Sequence, residues 1–222
     1  MKLNSDCACA VVLLALAAWP ATGQALSLER LDLHGVKADS VTYRGRAATR
    51  IADTLPAGYD ALSGLAVVGG ASFQDGTIEV AVSSDTAPNA PPFMRGFVGI
   101  AFRVAIQPTQ YELLYIRTKN GRSDDQLQRN HSTQYVSVPG FPWEKLRAEA
   151  PGKYESYVDL VPGEWTKLRI QVKGTSARLY VGDASEPVLV VGDLKQKPAP
   201  GSIALWAGPG TIAHFAGLKV TP

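Results

Sequence analysis

The sequence predicts an all-β sandwich with few or no helices. Three observations carry this expectation. Apolar residues alternate with period two in several separate runs, the mark of half-buried strands. Turn-forming groups punctuate those runs: Pro56, Asp75-Gly76, residues 88–92, Asn120-Gly121, Pro139-Gly140, Pro162-Gly163, residues 198–201 and Gly208-Pro209-Gly210. No segment sustains a helical period beyond residues 143–150. The chain of 222 residues suits one all-β domain, and 45% hydrophobic residues can supply its core. A net charge of +2 leaves no electrostatic footprint for nucleic acid, and 21 glycines are far too few for collagen.

The elements follow in order. Residues 1–25 read as a signal peptide, with Lys2 before the apolar stretch 8–18 and small residues at Gly23-Gln24-Ala25. That stretch is too short to span a membrane, which takes about 20 apolar residues. Cleavage after Ala25 leaves residues 26–222 as one sandwich domain, exported to the periplasm or the extracellular space and carrying no transmembrane segment. Lys2 and Asp6 leave together, so the net charge stays at +2. Cys7 and Cys9 leave as well, which excludes a disulfide, thiol catalysis and Cys-ligated zinc in what remains.

Short strands are expected over residues 30–36 and 41–51. Thr77-Ile78-Glu79-Val80-Ala81-Val82 alternates cleanly, with Ile78, Val80 and Val82 on one face. In residues 96–104, Val98, Ile100, Phe102 and Val104 face one way and Phe97, Gly99, Ala101 and Arg103 the other. Residues 110–117 form the next strand. A polar stretch, 120–133, then interrupts the pattern, and WEKLRAEA at 143–150 is expected as a short helix ended by Pro151-Gly152. Residues 164–172 and 178–181 form a hairpin around Lys173-Gly174-Thr175-Ser176, with Leu168, Ile170 and Val172 facing the core. Strands at 188–191, 202–206 and 211–220 complete the chain.

From Phe73 onward the order of motifs resembles a known superfamily. It runs Phe73-x-Asp75-Gly76-Thr77-Ile78-Glu79-Val80, then Gly96-Phe97-Val98-Gly99-Ile100-Ala101-Phe102-Arg103, then Tyr111-Glu112-x-x-Tyr115-x-Arg117. After the polar stretch come Gly163-Glu164-Trp165-Thr166-Lys167-Leu168-Arg169-Ile170, Leu179-Tyr180-Val181, Gly201-Ser202-Ile203-Ala204-Leu205-Trp206 and Ala213-His214-Phe215. Over residues 73–220 this resembles the concanavalin A-like lectin/glucanase superfamily, in particular exported domains of the 3-keto-disaccharide hydrolase (family 16 glycoside hydrolase-like) and laminin G-like types. The resemblance implies a jelly-roll β-sandwich of two antiparallel sheets. Enzymes, lectins and adhesion modules all use that fold, so function rests on the site.

The candidate site residues follow from strand parity. With Val98, Ile100, Phe102 and Val104 in the core, Arg103 falls on the opposite face, where Gly99 and Ala101 leave room for a ligand. With Leu114 and Ile116 inward, Tyr111, Leu113, Tyr115 and Arg117 share that face. Aromatic faces stack on sugar rings, and guanidinium forks bond hydroxyls or carboxylates, so Arg103, Tyr111, Tyr115 and Arg117 are candidate saccharide ligands. The alternative is a solvated face with ordinary cross-strand packing. Glu112 points inward, as a hydrogen-bond anchor or as an acid at the strand end. In the polar stretch, Gln126, Arg129 and His131 are placed to reach over the same face, with His131 the natural general base. The other reading has Asp124, Asp125 and Arg129 pairing among themselves. Tyr135, Tyr154 and Trp143 are candidate stacking platforms, Trp143 alternatively a core cap. Trp165 and Trp206 are assigned to the core, and His214 to a structural role near the final strand.

Some chemistry is missing. Retaining glucanases of this fold carry E-x-D-x-x-E on one strand, because the reaction needs two carboxyls about 5 Å apart. Here Glu79 is followed two residues on by Ala81, and Glu112 by Leu114. Glu79, Glu144, Glu155 and Asp159 could still meet in space. No G-x-S-x-G elbow, Walker loop or H-E-x-x-H motif occurs, and no cofactor is implied beyond calcium on loop oxygens. The resemblance implies cleavage of (3-keto-)glycosides, in which His131 or a carboxylate removes the acidified C2 proton and Arg103 or Arg117 stabilises the enolate. A non-catalytic saccharide-binding module and a laminin G-like interaction sandwich are the competing readings.

Overall fold

A computed structural model describes residues 25–54 and 62–222. All but the last residue of the expected signal peptide, and the turn expected at Pro56, lie outside them. The strands are β1 (Leu31–His34), β2 (Val36–Tyr43), β3 (Arg46–Asp53), β4 (Leu65–Phe73), β5 (Gly76–Thr86), β6 (Phe97–Val104), β7 (Tyr111–Arg117), β8 (Thr133–Val138), β9 (Glu155–Ser156), β10 (Thr166–Lys173), β11 (Ser176–Val181), β12 (Leu189–Val191), β13 (Gly201–Ala207) and β14 (Thr211–Thr221). Among the described residues two short α-helices are present, α1 (Gln126–Asn130) and α2 (Trp143–Glu149). The first sheet has the order β1-β4-β13-β6-β7-β8-β9 and the second β12-β11-β10-β5-β14-β3-β2, with antiparallel pairing throughout.

The core lies between the sheets, where parity placed it. Val98, Ile100 and Phe102 of β6 and Leu114 and Ile116 of β7 are buried, as are Ile78, Val80 and Val82 of β5 and Leu168, Ile170 and Val172 of β10. Burying one such side chain contributes roughly 1.5–3 kcal/mol, so two matched faces of this kind supply the main stabilisation. No helix among the described residues is long and apolar enough to cross a membrane.

Three expectations need correction. The strand expected over residues 41–51 is a hairpin, because Arg44 and Gly45 both take positive φ (44° and 75°) and form the tight turn between β2 and β3. The polar stretch is more ordered than expected: Asp125 caps α1 by accepting from the Leu127 and Gln128 amides, and β8 follows directly. Trp165 is half-buried on the outer face of the second sheet, edge-on to Tyr43, and does not enter the core.

On that same outer face His214 stacks on Tyr43 with ring centroids 3.8 Å apart. Burial, reinforced by the charge of Arg50 on the neighbouring strand, lowers the His214 pKa to about 4. The neutral form is therefore the folded form. Stability from this residue is complete above about pH 6.5 and is lost as pH falls towards 4, by at most about 3 kcal/mol. Urea titrations at pH 7 and pH 4.5 should show this loss in the wild type and a smaller one in His214→Gln; equal losses would assign the acid sensitivity elsewhere.

Candidate functional site

The outer face of the first sheet is covered rather than solvated. Every residue of β7 is buried, including those on the face away from the second sheet. The segments around α1 and α2, together with residues 93–95, border an open cavity of about 870 Å³ above that face. Its floor is aromatic. Trp206 of β13 and Tyr115 of β7 flank Gly99 of β6, each directly opposite it in register. A glycine there has no side chain, so the two rings meet above it at 4.8 Å, and Phe97 packs edge-on to both. A Cβ on Gly99 would lie 2.5 Å from the Cβ of Tyr115. The space expected above Gly99 is thus filled by rings that are themselves buried, and the apolar surface the cavity presents comes from Phe93, Phe97 and Trp143.

Beside the floor lies a buried ionic cluster. Glu155 on β9 accepts from Arg147 Nε and Nη2 at 2.7 and 2.6 Å, a bidentate pair. Arg117 Nη1 lies 3.9 Å and His131 Nε2 3.6 Å from the same carboxylate, whose side chain is 2% exposed. Arg117 also donates to the Tyr115 hydroxyl, to Gln134 Oε1 and to the His131 carbonyl. Asn120 donates to that carbonyl too, which fixes the backbone that presents the imidazole. The Trp143 ring stands between the two guanidiniums, 4.4 Å from Arg147 and 6.0 Å from Arg117. Burial lowers the His131 pKa against the opposing pull of Glu155, so the imidazole is neutral near pH 7. Burial raises the Tyr115 pKa, so its hydroxyl stays protonated.

Two polar atoms in this lining lack a protein partner. Trp206 Nε1, a donor, and Asn120 Oδ1, an acceptor, are both buried without a hydrogen bond. Both lie beneath the cavity surface, Trp206 2% and Asn120 3% exposed, so they carry a desolvation cost within the fold and are not presented to a ligand.

The structure therefore gathers His131, Tyr115, Arg117 and Trp143 around one cavity, and separates the other candidates. Arg103 is turned away by its backbone. The β6–β13 register shifts between Ser202 and Ala204, and Arg103 has φ 54°, the conformation of an irregular strand position. Its side chain is buried at the end of the sandwich, donating to the Gln74 carbonyl, Asp75 Oδ1 and the Gly174 carbonyl. Tyr111 is buried and donates to the Leu62 carbonyl. Gln126 is exposed and donates to Asn130, and Arg129 lies 5.2 Å over the Tyr157 ring. Neither lines the cavity, because α1 points them outward, whereas Gln128 and His131 do line it.

Glu112 faces inward, as parity required, and acts as an anchor. Its two oxygens accept from Tyr135 Oη (2.7 Å) and the Gln196 amide (2.8 Å), while burial raises its pKa. Tyr135 is consumed by the same network, its hydroxyl accepting from the Lys195 amide. Tyr154 bonds Asp193 and Lys195. Of the dispersed carboxylates, Glu79 pairs with Lys167 and Asp159 with Arg122, leaving Glu155 in the cluster and Glu144 at the rim. Among the described residues no three His, Asp or Glu side chains gather as a metal-binding group.

Several members of this site were not named from sequence. Trp206, assigned to the core, is buried but on the outer face. Arg147 follows Trp143 by one helical turn, and that i, i+4 spacing was the available signal. Glu155 was named only among carboxylates that could meet in space, and Gln134 not at all; the two are neighbours because β8 and β9 pair.

No family model matches the sequence, and neither does any curated protein. Solved structures do share its fold. The carbohydrate-binding module CBM66 from Bacillus subtilis aligns with a TM-score of 0.55 at 12% identity, over 86% of this chain and 98% of that one. A protein of unknown function with a galectin-like fold, also from Bacillus subtilis, gives 0.54 at 11% identity, over 87% and 89%. The chain thus has a jelly-roll sandwich of the galectin-like, concanavalin A-like type. At these identities the likeness concerns the fold alone.

Proposed function

We propose that this chain is an exported saccharide-binding domain that takes its ligand into the cavity over the first sheet. One observation carries the reading: the cavity sets the accessible rings of Phe93, Phe97 and Trp143 beside the guanidiniums of Arg95, Arg117 and Arg147. A sugar presents an apolar ring face to the first and hydroxyls to the second, so both demands are met by one ligand class. The fold shared with a carbohydrate-binding module supports it.

A second reading is favoured by His131. Its neutral imidazole, 3.6 Å from Glu155 and lining the cavity, is in the protonation state of a general base, as cleavage of a 3-keto-glycoside by C2 deprotonation would require. In that step the C2 proton passes to the imidazole and the enolate forms near Arg117; the C1–O bond then breaks as a C1–C2 double bond forms, the aglycone oxygen takes the proton from the imidazolium, and water adds back across that double bond.

One experiment addresses both. A panel of neutral and acidic oligosaccharides, and of glycosides with their 3-keto derivatives, is incubated with the full chain, following binding by calorimetry and sugar release by chromatography. Binding is expected, weakened at least about tenfold by Trp143→Ala or Phe93→Ala, both at the cavity surface, and retained in Ile106→Ala, a fully exposed position outside the cavity. Absence of binding to every member would overturn the proposal. Release that disappears in His131→Gln while binding persists would establish the catalytic reading, and binding without release would remove it.

A further inference from the structure

We infer that the saccharide held in this cavity carries a carboxylate. The inference rests on the saccharide reading and narrows it to acidic sugars of the uronate kind. Four cations, Arg95, Arg117, Lys145 and Arg147, line the cavity, against a single lining carboxylate, Glu144. Glu155, set behind the guanidiniums, offsets one positive charge, so the cavity still gathers an excess comparable to the net +2 of the entire chain.

The excess is not consumed by internal pairing. Among the described residues neither Arg95 nor Lys145 has an acidic partner; they donate instead to the Pro92 and Gly140 carbonyls, and Lys145 Nζ stands 4.5 Å over the Phe141 ring. His131, neutral at pH 7, neither adds to nor relieves the charge. Like charges gathered beside an apolar floor repel one another more strongly than they would in open water, and a bound anion relieves that repulsion. A neutral sugar satisfies the aromatic lining of Phe93, Phe97 and Trp143, but leaves the cation excess unanswered. A uronate answers both, its ring against the accessible aromatic side chains and its carboxylate towards the Arg and Lys side, where charge-assisted hydrogen bonds are the strongest available.

The test compares matched ligands by titration calorimetry on the full chain: oligogalacturonate and oligoglucuronate, their methyl esters, and the neutral galactose and glucose oligomers, at 50 mM and 500 mM salt. One acid is expected to bind about tenfold more tightly than its own methyl ester at low salt, with the advantage shrinking at high salt. The Arg95→Gln/Lys145→Gln variant, altered at rim positions that pair with no carboxylate, is expected to lower the acid-to-ester ratio. Equal binding of acid and ester, or tighter binding of neutral oligomers, would overturn the inference and leave the saccharide reading standing. An acid preference that the double variant does not reduce would overturn its assignment to this cavity. No binding to any saccharide would remove both.

Discussion

Replacing Glu155 by alanine is expected to lower the stability of the folded protein by about 3–5 kcal/mol and to abolish ligand binding. The carboxylate is almost wholly enclosed and is shared by Arg147, Arg117 and His131. Removing it leaves two guanidiniums with no counter-charge, one of them buried, and the cost of an uncompensated buried charge is the largest single penalty available here. A chain of this size would show a fall in Tm on the order of 10 °C. Glu155→Gln keeps an acceptor for Arg147 without the charge, so it should fall between alanine and wild type. Thermal unfolding of the three proteins tests the order; a Glu155→Ala protein as stable as wild type would show that the cluster is held by packing alone.

Arg103→Ala is expected to cost a similar amount, about 3–5 kcal/mol, with no direct effect on the cavity. Arg103 has a side chain only 2% exposed and makes three hydrogen bonds, to the Gln74 and Gly174 carbonyls and to Asp75. Asp75 in turn accepts from the Gly174 amide, so the pair ties the β4–β5 turn to the β10–β11 turn. Alanine would strand both carbonyls and keep the unfavourable φ of 54°, itself worth roughly 1–2 kcal/mol for a non-glycine residue. Lysine preserves the charge but not the fork, and should recover only part of the loss. Denaturant unfolding separates the variants, and an Arg103→Ala that loses binding without losing stability would mean that the residue reaches the ligand after all.

The contrast between these two residues shows how far strand parity reaches. Leu168, Ile170, Val172 and the inward set of β6 were legible because a pleated strand turns alternate side chains to opposite faces whatever its neighbours do. Glu112 followed from the same rule. Arg103 did not: one irregular position in the β6–β13 register turned its side chain to the end of the sandwich, and nothing local in Ala101-Phe102-Arg103-Val104 signals it. Trp206 was legible as buried but not as outward-facing, because burial on a covered outer face and burial between sheets look alike in sequence.

The sequence by itself determined the all-β class, the position of most strands, the inward faces of β5, β6, β7 and β10, and the location of Tyr115 and Arg117 on the face away from the core. The tertiary structure alone decided that this face is roofed by α1, α2 and the segment before β6, and that His131, Trp143, Arg147 and Glu155 come together there. The physical reason is one of range. Period-two alternation is set by the covalent geometry of each residue and its neighbours. The roof and its charges depend on where connections of ten or more residues return to the sheet, which only the packing of the whole chain specifies.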